Sequence, residues 1–131
     1  MTKDKNFKDT IEKLESVNLI EKNMEYIEKK IEILDYDLAK LYSNKDVNGH
    51  RIKKLLDEKT KLINDLDDLK LEKKFIVEAV NILEGIEREV IIDFYFKNYS
   101  VTQISTLKLY SDRRIRQIKK KALLKLSLLF N

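Results

Sequence analysis

The chain has 131 residues, 27 Lys and Arg against 23 Asp and Glu, one histidine, two glycines, and no cysteine, proline or tryptophan. That length allows one ordinary domain or two small ones, and straight-chain helix formers with few breakers point to an all-α protein. Without cysteine there are no disulfides or thiolate metal sites. The lone His50, beside Gly49 in an expected loop, makes neither a metal cluster nor a catalytic pair, so no cofactor is expected. No stretch is long and apolar enough to span a bilayer, and the Met1 end has no signal-peptide run, so a cytoplasmic protein is expected.

The net charge of +4 is unevenly spread. Residues 1–83 carry 17 basic against 18 acidic side chains. From Lys97 onward there are nine basic residues against Asp112 alone. A near-neutral scaffold followed by a basic segment is the pattern of a protein that meets a polyanion at one end. The bland alternative is a solvated helix face.

Residues 1–18, with Phe7, Ile11 and Leu14, predict a short, weak first helix. Next come Ile20, Met24, Ile27, Ile31, Leu34, Leu38 and Leu41. Their steps alternate four and three residues, which is a coiled-coil seam. The seam stops at Tyr42–His50, where Asn48-Gly49 is a turn former. A second seam follows, with Leu55, Leu62, Leu69, Ile76 and Leu83 at one heptad position and Ile52, Lys59, Leu66, Lys73 and Val80 at the other. The two lysines weaken it and can select register. A short turn between two heptad helices favours an antiparallel hairpin over pairing between chains. The expected division is a helical hairpin over 1–83 and a second domain over 84–131.

After Leu83, Glu84-Gly85 interrupts the pattern. A helix from about Ile86 carries Val90, Ile91, Phe94 and Tyr95 on one side. Ser100 is an N-cap for a short helix from Val101 to about Leu107, with Lys108-Leu109-Tyr110 as the turn. Ser111 caps a last helix that runs to about Leu128. These elements make a helix-turn-helix unit.

At 100° per residue, Ile115, Ile118, Ala122, Leu126 and Leu129 share one side of the last helix, for packing on Ile104 and the Val90–Phe94 helix. Asp112, Arg113, Arg116, Gln117 and Lys120 share the other, near the N-terminal half that reaches base edges in recognition helices. Arg can pair with guanine O6 and N7, and Gln with adenine N6 and N7. Lys119, Lys120 and Lys121 suit phosphates, which position a protein without reading sequence. Asp112 also suits the positive end of the helix dipole. With the cap Ser111, these eight residues form the candidate DNA-binding set. Leu123, Leu124, Leu128 and Phe130 exceed what one helix face needs and would dock on the hairpin or a second chain.

Arg114-Ile115-Arg116-Gln117-Ile118, followed by Lys121-Ala122-Leu123 and Lys125-Leu126, resembles the recognition helix of region 4 of sigma-70-type factors. Leu83 and Arg88-Glu89-Val90-Ile91 resemble the opening helix of that region, Gln103-Ile104-Ser105 its middle, and Ser111 its usual Ser/Thr cap. The resemblance covers 83–126. It implies a unit that binds a promoter −35 element and touches the RNA polymerase flap, with Asp112, Arg113, Arg116 and Gln117 at the base-reading positions. This chain departs from the family in having Asp112 then Arg113 where many members have a basic then an acidic residue, and Leu109 where the turn usually has glycine. Nothing in 1–82 resembles the family's region 2, so a full initiating factor is not implied. In architecture the chain is similar to small phage regulators of the ArpU type.

The reading is a sequence-specific DNA-binding transcriptional regulator, not an enzyme, with double-stranded DNA, RNA polymerase and a second copy of the chain as expected partners and no membrane. The alternative is a coiled-coil interaction protein or a sigma-like polymerase-binding factor that does not read DNA. No phosphate-cradling glycine loop and no nucleophile–base pair supports catalysis.

Overall fold

The structure, a computed structural model, describes residues 2–44 and 49–130. All its regular structure is helical: α1 (Thr2–Ser43), α2 (Gly49–Ile82), α3 (Gly85–Ile91) continuing into a π turn (Ile92–Phe96), α4 (Val101–Lys108) and α5 (Asp112–Leu129). Among the described residues no helix is long and apolar enough to cross a membrane.

Residues 1–18 are not a separate helix, because α1 runs unbroken from Thr2 to Ser43. No glycine or proline interrupts that stretch, and a change in seam pattern alone does not end a helix. Of the expected Tyr42–His50 loop, Lys45–Asn48 lie outside the described residues. Tyr42 and Ser43 close α1, and Gly49 and His50 open α2. His50 is therefore an exposed residue of a first helical turn rather than of a loop.

The chain folds as two compact units, one of residues 20–73 and one of residues 1–19 together with 74–131. These ranges differ from 1–83 and 84–131, because residues at the start of α1 and the end of α2 pack with the C-terminal helices.

In the 20–73 unit both seams point inward. Ile20, Leu34, Leu38, Ile52 and Leu66 are buried, and Met24, Ile27, Ile31, Leu41, Leu55, Leu62 and Leu69 are half-buried. Seam Lys59 pairs with Asp35, and seam Lys73 with Glu21 at 3.1 Å. As α2 advances from 59 to 73, its partners step back from 35 to 21, so the helices are antiparallel and in constant register. Each lysine reaches past the seam to a carboxylate one residue beyond Leu34 or Ile20. Half-exposed pairs of this kind add little stability, but they fix the register.

In the other unit, Leu14 and Val17 of α1 and Ile76, Ala79 and Val80 of α2 are buried together with the C-terminal core. Asn18 Nδ2 donates to the Tyr95 carbonyl at 3.2 Å and to Asn98 Oδ1 at 3.1 Å. The Lys13 ammonium lies 5.0 Å from the centre of the Phe130 ring, which also meets Phe75 at 5.8 Å. α2 ends at Ile82. Glu84 is extended and Gly85 has φ +55, a left-handed conformation that glycine adopts without steric cost. Val90, Ile104, Ile115 and Ile118 form a core layer with Ile86, Phe94, Tyr99 and Val101 around it. Removing a fully buried aliphatic side chain of this sort from water contributes about 1.5–3 kcal/mol.

Candidate nucleic-acid interface

Two serines set up the helix pair that would meet DNA. Ser100 Oγ accepts from the Gln103 N–H at 3.1 Å, and Gln103 Oε1 accepts from the Ser100 N–H at 2.8 Å, a reciprocal capping box. Ser111 Oγ accepts from the Arg114 N–H at 3.1 Å and starts α5. Each cap satisfies an N–H group that the helix itself leaves unpaired.

The turn between them is tight. Leu109 has φ 60 and ψ 36, and its N–H and that of Tyr110 both donate to the Ser105 carbonyl. A leucine in this left-handed conformation is strained by about 1–2 kcal/mol. Its side chain is 89 % exposed and so recovers nothing by packing. Thr102 Oγ1 donates to Asp112 Oδ2 at 3.2 Å and ties the first turn of α4 to that of α5.

The core face of α5 consists of Ile115, Ile118, Ala122, Leu123 and Leu126. Leu129, expected on that face, is 41 % exposed, because the chain turns inward only one residue later and buries Phe130. Ala122 is fully buried.

The candidate residues separate into three groups. Arg113, Arg116, Gln117 and Lys120 are all exposed on the side of α5 opposite Ile115. Among the described residues, no carboxylate lies within ion-pair distance of the three cations. Ser111 and Asp112 are engaged in the cap and in the Thr102 hydrogen bond. Lys119 and Lys121 are set apart from the open face. The Lys119 ammonium lies 3.8 Å from the centre of the Phe94 ring and 6.0 Å from that of Tyr95. Burial there pushes its pKa below the usual lysine value, and the nearby Arg116 charge lowers it further. Lys121 lies 3.9 Å from Glu87, which Lys125 binds at 2.9 Å.

A brace behind this face escaped the sequence reading. Asp93 is buried with Lys97 at 3.6 Å and Lys108 at 3.9 Å, and Lys108 also binds Glu89 at 2.9 Å. The hydrogen bond to Glu89 raises the Lys108 pKa. The cluster connects the π turn to the end of α4. The Asp93 carbonyl also accepts from the Tyr99 N–H at 2.9 Å. The sequence did hold a sign of it, since Asp93 is the one charged residue in Val90–Phe96.

The family model that matches the chain is Sigma-70, region 4, over residues 79–127. No curated protein and no solved structure matches the chain. The matched stretch runs from the last turn of α2 through most of α5, so it takes in the capped helices, the Leu109 turn and the basic face. Residues 79–127 thus carry a sigma-70 region 4-like helix-turn-helix.

Proposed function

We propose that the chain is a sequence-specific DNA-binding transcriptional regulator that reads a promoter element with α5. Arg113, Arg116 and Gln117 contact base edges, and Lys120 and Lys121 hold phosphates. Lys119, drawn over Phe94, steadies α5 on its support. Asp112 braces α4 against α5, and Ser111 orients the first turn. RNA polymerase is a second partner on the family resemblance, and the architecture favours a phage or prophage regulator working in the cytoplasm.

The observation that carries this reading is the division of α5. One face is locked into the core through Ile115, Ile118, Ala122 and Leu126, while Arg113, Arg116, Gln117 and Lys120 stand exposed with no carboxylate partner among the described residues. A core-anchored helix with an uncompensated basic face can enter a major groove without reorganising.

The test is selection of duplexes from a random library with the full chain, followed by fluorescence anisotropy at two salt concentrations. The expected result is an enriched motif bound more weakly as salt rises. Arg116→Ala should lose about 10- to 100-fold of the preference over a scrambled duplex, and Lys120→Ala should weaken both duplexes alike. No enrichment, with equal affinity for every duplex, would overturn sequence reading and leave only a basic surface.

A further inference from the structure

A carboxylate stands one helical turn before Arg116, yet the two are not paired. Asp112 lies four residues ahead of Arg116 on α5. An acid four residues N-terminal to a base is the favourable order for an ion pair on a helix surface. Among the described residues no ion pair joins them. Asp112 is half-buried, and its Oδ2 accepts from Thr102 Oγ1 at 3.2 Å, while Arg116 stays exposed. That bond draws the carboxylate toward the first turn of α4. The neighbour on the next turn of α5 is drawn aside as well, because the Lys119 ammonium lies 3.8 Å from the centre of the Phe94 ring.

The arrangement decides what α5 can read. A guanidinium reads guanine by aiming two N–H groups at O6 and N7, so both must be free of other acceptors. Arg113, Lys119 and Lys120 cannot occupy them, since their side chains carry donors only. Asp112 is the only acidic side chain from Lys97 onward. It is therefore the one carboxylate near enough in sequence to compete with guanine for Arg116.

We propose that Thr102 is a specificity-determining residue of the DNA site that acts through Asp112: its hydroxyl holds the competing carboxylate off Arg116, leaving the guanidinium free to read a guanine. The inference rests on the DNA-reading function proposed above. Thr102 touches no base in this scheme. It positions the group that otherwise masks the reader. Valine at position 102 keeps the shape of threonine without the hydroxyl, and so releases Asp112 to pair with Arg116.

The test uses the full chain and the duplex motif that it selects from a random library. Each guanine of the motif is replaced in turn by 7-deazaguanine, which pairs normally but lacks the N7 acceptor, and affinity is read by fluorescence anisotropy. One replacement should weaken binding about tenfold, and Arg116→Ala should abolish that loss at this guanine alone. In Thr102→Val the same loss should shrink about threefold, the scale of a helix-surface pair strengthened where the groove excludes water, with the losses at other guanines unchanged. Thr102→Ser keeps a hydroxyl and should match the parent. Asp112→Ala should also match it, since Arg116 is free there too, and Thr102→Val with Asp112→Ala should recover the full loss. That recovery also shows that the helix pair stays folded without the hydroxyl.

A loss that Thr102→Val leaves intact, or that Asp112→Ala shrinks as much as Thr102→Val does, would sink the role of Thr102 while sequence reading stands. So would a motif in which no guanine depends on Arg116, or a double variant that fails to recover. No enriched motif with the parent chain would remove the reading function itself, and this role with it.

Discussion

The 20–73 hairpin and the unit around α5 are both built from helices with apolar stripes, yet they bury those stripes to different degrees. Two paired helices have only each other. At the hairpin's middle, Met24, Ile27, Ile31, Leu62 and Leu69 therefore remain half-exposed. In the other unit, helices cross on more than one side, and Leu14, Val90, Ile91, Ile104, Ile115, Ala122 and Leu126 lose all contact with water. A single apolar stripe sustains a long straight element, whereas holding a reading helix in one orientation takes enclosure from several directions.

The comparison can be broken most directly by equal truncations. Ile115→Ala should cost about 3–4 kcal/mol in chemical denaturation, since it empties an enclosed site. Ile31→Ala should cost about 1 kcal/mol, because water already reaches it and can fill the space. Equal losses would mean that the hairpin seam is as enclosed as the core under α5.

A pH titration gives the next largest effect. Burial, and after it the Glu15 charge, pushes the Tyr95 hydroxyl up from 10.0 to about 12. A group whose folded pKa is raised lends stability that is complete below pH 10 and is lost as pH climbs toward 12. Up to about 2–3 kcal/mol should disappear across that window, and Tyr95→Phe should flatten the loss. Hydrogen exchange should place the alkaline opening at Val90–Ile118. An opening confined to Met24–Leu69 would contradict the assignment.

Smaller changes test the turn. Ser111→Ala removes the cap of α5 and should cost about 1 kcal/mol, seen as faster exchange at Arg113 and Arg114. Leu109→Gly should gain about 0.5–1 kcal/mol, since relief of the left-handed strain exceeds the added freedom of the unfolded chain. A melting temperature unchanged by Leu109→Gly would show that the strain is absorbed elsewhere.

Much of this was legible in the sequence because period and capping are local properties. Every seam position read from the heptads turns inward, and both serines cap where their spacing from the next apolar run put them. Residues whose role depends on distant partners were not legible. Nothing near Leu14 or Val17 in sequence shows that they lie under the C-terminal helices, and nothing near Lys119 shows the Phe94 ring beneath it. Leu129 and Leu123 come out reversed from the helical-face expectation, the first exposed and the second buried, because whether a residue near a helix end is covered depends on where the chain goes next. Of the candidate set, the sequence gathered the exposed Arg113, Arg116, Gln117 and Lys120 correctly onto one side of α5. It could not foresee that Asp112 and Lys121 have neighbours on α4 and α3.

The π turn at Ile92–Phe96 constrains how this chain can tolerate insertions and deletions. The Lys97 N–H reaches back five residues to the Ile92 carbonyl, so this turn holds one residue more than an α-helical turn would. Ile91, Asp93 and Tyr95 are all buried here, so this turn is enclosed on more than one side. Deleting one residue here would leave a regular helix, yet everything after it would rotate by about 100° relative to α3. Asp93 would swing away from Lys108, and Asn98 would no longer meet Asn18. Length changes of a single residue should therefore be poorly tolerated at these five positions, however helical the edited sequence looks.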